Sequence, residues 1–399
     1  MTFERLTGVP GLAALRAFAA RGTGPRLWLV GGAVRDAALG APVRDLDVVV
    51  EGDALAVAPQ LGDVVERHER FRTAEVVVDG ARVNVASART ETYAEPGALP
   101  DVVLGASIED DLRRRDFTIN AIAVGLADGR VVAVPGARAD LDTRRLRVLH
   151  ERSFLDDPTR IYRLVRYALR LPAQADEATA ALARAAVAGG ALLTVSRDRI
   201  VNELRLMLAE DDPAGMLAAA HEWVGSAAPA VDAELARRAL ALLPPDGRPE
   251  IVLAASGSIG DGRRAARDVQ WFDDARPARR RAQAAAQGAR ELAGALEVAA
   301  RPSEVAAAVR NRPVEAVALA GALGPAQVAA RWLGEQRHIR LEIDGRDVMA
   351  AGVEEGPAVR AALERALAAR LDGTIPRGAT PSSPRRSAGE LRLLSEGWT

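Results

Sequence analysis

The segment Arg44-Asp45-Leu46-Asp47-Val48-Val49-Val50 sets two carboxylates two positions apart in a run of strand-forming residues. Alternation along a strand puts Asp45 and Asp47 on the same side. Carboxylates held that close repel unless a cation lies between them. Their oxygens are hard ligands suited to Mg²⁺, which keeps its other positions for waters and phosphates. Such a pair can position metal for in-line transfer at a phosphate. A solvated strand edge would show the same spacing, so what surrounds the pair decides.

Nine residues before Asp45 ends a second motif, Leu29-Val30-Gly31-Gly32-Ala33-Val34-Arg35-Asp36. It reads as a strand, then Gly31-Gly32, then a helix over 33–39, the first of the chain. Paired glycines let backbone N–H groups approach a phosphate, and the helix start favours an anion. Arg35 lies one turn in, within reach of a triphosphate. The pattern is neither a Walker loop nor a GxGxxG fingerprint, and an ordinary tight turn remains an alternative. Beside Asp45 and Asp47, this helix start favours the metal.

Two arginine-rich motifs follow. In Arg113-Arg114-Arg115-Asp116-Phe117-Thr118-Ile119-Asn120-Ala121, three cations just before an apolar strand call for an anionic partner, or else end a helix as a solvated cluster. In Asp156-Asp157-Pro158-Thr159-Arg160-Ile161-Tyr162-Arg163-Leu164-Val165-Arg166, Pro158 suits a first helical turn and either aspartate its cap. Arg160, Arg163 and Arg166 then drift slowly around one helical face. Asp157 and Arg160, an acceptor and a donor fork one turn apart, can read the edge of a base. A salt-bridged surface helix is the alternative.

These motifs need a scaffold. At 399 residues the chain predicts two or three domains, and 49% hydrophobic residues supply their cores. Net charge is −1, all 53 basic residues are arginine, and cysteine is absent. Disulfides and thiolate metal sites are excluded, and phosphate contacts must use guanidinium forks. An RNA partner stays compatible with near-neutral charge if a basic stripe is offset elsewhere. With no long apolar run and no leader-like start, a cytoplasmic protein away from membranes is expected. Strand-like runs recur at 26–30, 46–50, 74–78, 82–86, 121–124 and 131–134. From about Asp157 onward, helical spacing takes over. The Arg-rich stretch Arg263–Ala300 reads as solvated helical faces, and Pro376–Ser387 as a flexible end.

Taken in order, the four motifs resemble the class II tRNA nucleotidyltransferase and bacterial poly(A) polymerase family of the polymerase-β superfamily. Its pattern is Gly-Gly-x-x-Arg-Asp, Asp-x-Asp, Arg-Arg-Asp, Glu-Asp-x-x-Arg. Ala88-Arg89-Thr90-Glu91-Thr92-Tyr93 with Pro96-Gly97 resembles the family's flexible loop, and Gly345-Arg346-Asp347-Val348-Met349 a segment of its tail. The resemblance implies an α+β chain: a mixed-sheet nucleotidyltransferase head over 1–145, a helical neck over 146–210, a helical body and tail over 211–375, and a flexible end over 376–399. It implies that Asp45 and Asp47 hold catalytic Mg²⁺, and that Gly31, Gly32, Arg35, Asp36 and Arg115 bind the incoming triphosphate. Asp157 and Arg160 would present a Watson–Crick-like edge to cytosine or adenine, with Arg163 and Arg166 completing the pocket. Arg89 and Glu91 would belong to the flexible loop. The implied reaction is template-independent addition of CCA, from CTP and ATP, to the 3′ end of tRNA. Poly(A) synthesis, CC-only or A-only addition, and a catalytically inactive RNA binder remain alternatives.

Two positions depart from the family. Asn84 stands where an acid is usual, and Asp156 replaces the glutamate before Asp-x-x-Arg. None of His68, His150, His221 and His338 forms a His-Asp pair, so no phosphohydrolase domain is expected. The oligomeric state is not legible in the sequence.

Overall fold

The computed structural model describes residues 6, 8–43 and 45–374; the end expected to be flexible lies outside them. The chain divides into two compact units, Met1–Glu210 and Asp211–Thr399.

The first unit is built on a mixed sheet. Its strands are β1 (Leu27–Val30), β2 (Leu46–Val50), β3 (Asp63–His68), β4 (Thr73–Val78), β5 (Ala81–Ser87), β8 (Ile122–Gly125) and β9 (Val131–Ala133), in the order β3-β4-β5-β2-β1-β8-β9. Strands β6 (Arg89–Thr92) and β7 (Asp101–Leu104) form a separate antiparallel pair. Only β2 and β5 run parallel in the large sheet. That places β2 centrally, with Val30 and Asn84 flanking Asp47 on the neighbouring strands. Val48, Val49 and Val50 are all buried. A strand covered on both faces reads as a continuous apolar run rather than an alternation.

The unit also holds α1 (Leu12–Ala20), α2 (Gly32–Leu39), α3 (Ala54–Leu61), α4 (Ile108–Arg113), α5 (Ala137–Asp142), α6 (Ser153–Asp156), α7 (Arg160–Arg170), α8 (Glu177–Ala188) and α9 (Arg197–Leu208). Helix α1 precedes the one expected to be first, held by Leu12 and Leu15. Its low polarity and lack of a capping side chain hide it in sequence. Strand β3 was equally hidden, because most of its residues are exposed and charged.

The second unit is helical: α10 (Pro213–Val224), α11 (Ala233–Leu242), α12 (Pro249–Ser256), α13 (Gly262–Asp268), α14 (Arg276–Gln287), α15 (Ala289–Val298), α16 (Pro302–Ala308), α17 (Val314–Leu323), α18 (Ala326–Gly334), α19 (Gly345–Ala350) and α20 (Pro357–Leu371). Alanines such as Ala254, Ala282, Ala286 and Ala318 dominate its main core cluster. Small residues let helices approach closely at little side-chain entropy cost. The Gly345-Arg346-Asp347 segment opens α19, where Asp344 accepts from the backbone N–H groups of Arg346 and Asp347.

Candidate active site

Where β1 meets α2, the chain turns through Gly31 at φ 66°. The left-handed backbone favours glycine, and a Cβ there would stand 3.2 Å from Arg115 NH1 and 3.6 Å from Asp47 Oδ2, facing the groups of the site. Helix α2 starts without a capping side chain, which leaves its first N–H groups available for an anion. Gly31 and Gly32 form one wall of a cavity of about 390 Å³ in the first unit.

Asp47 lies in the same wall, its Oδ1 accepting from Asn84 Nδ2 at 3.1 Å. Burial pushes its carboxyl above the ordinary range; Asn84, Arg115 and Arg35 pull it down, and the charge of Asp45 pushes it up. Asp45 is exposed, just before β2, and outside the cavity lining. A destabilised anion beside a second carboxylate is the environment a bound cation would relieve. The amide at Asn84 serves as a donor that fixes Asp47 and gives no third carboxylate. Two hard oxygen donors fit a divalent ion that takes its remaining ligands from water and phosphate.

Helix α4 supplies the next wall. Ser107 caps it by accepting from Asp110 N–H, and its first turn carries Glu109, Asp110 and Asp111. Fully buried Asp111 faces the arginines one turn later: Oδ1 accepts from Arg114, and Oδ2 from Arg115 NH2 at 3.0 Å. Burial would raise this carboxyl, but Arg114 and Arg115 outweigh it and hold it below the ordinary range. Glu91 accepts from Arg114 NH1 at 2.9 Å, from Arg89 Nε at 3.0 Å and from Tyr93 Oη at 3.1 Å. Burial and Glu91 push the Tyr93 hydroxyl up to about 12. Much of the positive charge expected to need an external anion is therefore met by Asp111 and Glu91. Arg113 points away and pairs with Asp110.

The segment expected as a flexible loop is the β6–β7 hairpin, and Arg89 and Glu91 on β6 line the cavity. The hairpin's crossing is pinned at Gly97, at φ 74°, where a Cβ would come within 2.0 Å of Thr194 Oγ1. Gly97 N–H donates to Leu155 O at 3.0 Å, and Gly97 O accepts from Arg199 NH1 at 2.6 Å.

The turn between α6 and α7 forms the opposite wall. Helix α7 begins at Arg160, two residues after Pro158, because Asp157 Oδ1 turns back to accept from Thr159 N–H at 3.1 Å and Thr159 Oγ1 at 2.6 Å. The same oxygen accepts from Arg199 NH2 at 2.8 Å. Arg160 donates through NH1 to Ser153 Oγ and through NH2 to Arg114 O. Its Nε has no partner and lies 3.9 Å from Asp157 Oδ2. Arg163 Nε donates to Glu203 at 2.9 Å, and its NH1 lies 3.5 Å from Asp116. Burial opposes ionisation of Asp116, but Arg163 and the Asn120 amide hold its carboxyl below the ordinary range.

Three residues from the sequence patterns lie behind these walls. Arg35, 2% exposed, donates to Asp36 and Asn120 and stacks over Tyr167 at 5.0 Å. Asp36 also accepts from Arg170 at 3.0 Å. Arg166 stacks on Tyr167 at 5.4 Å, with Glu203 at 3.9 Å. They brace α2 and α7, while Gly31, Gly32, Asp47, Arg89, Glu91, Arg115, Asp157, Arg160 and Arg163 line the cavity. Arg199 and Tyr167 also line it and lie outside the sequence patterns, while Tyr93 and Asn120 line it from within motifs that gave them no role. Arg199 and Glu203, four apart on α9, gave only an ordinary helical ion-pair spacing.

Residues 27–147 match the family described as Poly A polymerase head domain. The CC-adding tRNA nucleotidyltransferase of Deinococcus radiodurans is 34% identical over 367 residues, covering 89% of this chain and 88% of that protein. The chain belongs to the class II tRNA nucleotidyltransferase family. An A-adding tRNA nucleotidyltransferase of Halalkalibacterium halodurans is 47% identical over 197 residues, 47% of this chain and 46% of that protein. The chain thus spans less than half the length of the A-adding relatives it matches. A solved CCA-adding enzyme in an apo form superposes with a TM-score of 0.80 at 25% identity, over 97% of this chain and 95% of that one. The family generally uses a divalent metal. No helix among the described residues is long and apolar enough to cross a membrane.

Proposed function

We propose that this chain adds CCA to the 3′ end of tRNA from CTP and ATP, without a template and with Mg²⁺, releasing pyrophosphate. The observation that carries this reading is one cavity joining a glycine-opened helix start, Asp47, Arg115 and the Asp157–Arg160 pair. Asp45 and Asp47 would hold Mg²⁺. When bound, that ion supplies charge neutralisation at the phosphates and acidifies the attacking 3′-hydroxyl. Gly31, Gly32 and Arg115 bind the triphosphate, with Arg35 and Asp36 bracing the helix that presents it. Asp157 Oδ2 accepts from the amino group of cytosine or adenine, and Arg160 donates to the ring nitrogen beside it. Arg163 and Arg166 complete and stiffen that wall. Residues 1–145 serve as head, 146–210 as neck and 211–375 as RNA-holding body and tail; the break between Glu210 and Asp211 supports the boundary before the body, and head and neck share one compact unit. With tRNA as substrate, we place the chain in the cytoplasm.

Addition of CC alone or A alone is the second reading, favoured by the names of the relatives in Deinococcus and Halalkalibacterium. Separate incubations of tRNA ending before CCA and of tRNA ending in CC, each with labelled CTP and labelled ATP, separate them. Three added residues support the first reading; a stop at two, or addition of A only to a CC-ended tRNA, supports the second. No incorporation into either RNA overturns both.

A further inference from the structure

The second unit contains a groove of about 710 Å³ between the loop after α11, the start of α17 and the end of α18. Its walls are apolar: Val309, Val314 and the half-buried Trp332. Its rim is cationic, with Arg312, Arg337, His338 and Arg340 against a single acid, Asp246. Arg337 is spent, since it donates to Asp246 and to Leu333 O. Arg340 donates through NH1 to backbone carbonyls beside it, and exposed Arg312 has Glu291 no nearer than 3.9 Å. Arginines held near an aromatic slot without a close carboxylate match a planar ring that carries phosphate.

We infer that this groove binds an unpaired nucleotide of the RNA substrate, its base against Trp332 and its flanking phosphates on Arg312 and Arg340. The volume accommodates a nucleotide. Stacking on an aromatic face tolerates any base, so the contact reads RNA shape rather than sequence. A free nucleoside monophosphate would offer one phosphate to the two arginines, whereas a nucleotide within RNA carries one on each side. The inference rests on the proposed activity only in taking the occupant to be the substrate RNA.

The test uses the full chain and a tRNA transcript ending before CCA. Ultraviolet crosslinking followed by peptide mapping should place the transcript on the 332–340 segment. Arg312→Ala with Arg340→Ala should weaken binding about tenfold, leave kcat at saturating transcript unchanged, and lower the slope of log affinity against log salt by roughly 0.7–0.9 per lost phosphate contact. Thermal melting verifies that the variants fold, and crosslinking of the unsubstituted chain needs no variant. Crosslinks that map elsewhere, or affinity and salt slope unchanged in the double variant, overturn the inference. A chain that crosslinks here yet incorporates neither C nor A overturns the proposed activity and leaves the groove standing.

Discussion

On the sheet side of the cavity, Asp47 accepts from an amide, and burial leaves its carboxyl above the ordinary range. On the helix side, a single oxygen of Asp157 receives three donors, and Arg160 is tied at both terminal nitrogens. The first wall keeps a charge unsatisfied and the second fixes its charges in place. That difference suits the two tasks proposed for these walls. A carboxylate that must take a cation is best left poorly compensated, because compensation would compete with the ion. Groups that are to stand in for a template strand, as proposed for Asp157 and Arg160, must not swing, because discrimination would come from mismatched donors and acceptors that cannot rearrange.

Removing charge from the first wall should have the largest effect. Asp47→Ala is expected to lower nucleotidyl transfer by about 10³-fold or more, with transcript binding nearly unchanged. Pyrophosphate release and filter binding measure the two quantities separately. Transfer within tenfold of the unsubstituted chain would mean that this wall does not hold the ion.

The second wall is tested by Asp157→Ala. Use of CTP and ATP should fall sharply, and the margin over UTP should narrow by on the order of 10²-fold, since uracil sets a carbonyl and an N–H where the pair expects the reverse. Single-turnover rates with each nucleotide give the ratio. If UTP is still rejected as before, base choice lies in another part of the cavity.

The residues proposed to touch substrate sit in motifs whose spacing is local, and that is why the sequence singles them out. Gly31-Gly32, Asp45-x-Asp47 and Asp157-x-x-Arg160 each sit within one turn or one strand. What anchors them was not legible. Asp111 meets Arg115 across one turn, but Glu91 reaches Arg114 over 23 residues and Arg199 reaches Asp157 over 42. No periodicity encodes such pairs, since chain folding alone brings them together. The six sheet strands read from β-branched runs were found with ends shifted by at most one residue, whereas polar β3 and the hairpin over 89–104 were not. Arg35 shows the converse: its spacing put it within reach of a triphosphate, and the structure adds that Asn120, 85 residues away, holds it in the core.

Between the walls, Asp116 offers a test by pH. Arg163 and Asn120 depress its folded pKa below the ordinary 3.8. A depressed carboxyl stabilises the fold fully above its unfolded pKa, and that contribution is lost as pH falls through the folded pKa. The melting-temperature gap between the native chain and Asp116→Asn should therefore be constant from pH 7 to about 5, where an ordinary carboxylate is fully ionised. It should shrink on acidification below 3.8. A gap that closes nearer neutrality would assign the stabilisation to a group with a higher pKa.

The smallest effect belongs to Arg199, where the comparison is sharpest. Its NH2 fixes Asp157 Oδ1 and its NH1 holds Gly97 O, so one guanidinium joins the acid proposed to face the base to the hairpin. Thr159 still supports Asp157 when Arg199 is removed. Arg199→Met should therefore loosen the carboxylate without removing it, costing about tenfold in discrimination against UTP while transfer of C continues. Arg199→Lys should recover little, because an ammonium lacks the fork that spans both acceptors. If Arg199 acts through Asp157, then Arg199→Met placed on Asp157→Ala should change UTP discrimination hardly at all. Full additivity of the two losses would show that Arg199 acts on the hairpin alone, and that the helix-side wall keeps its rigidity without it.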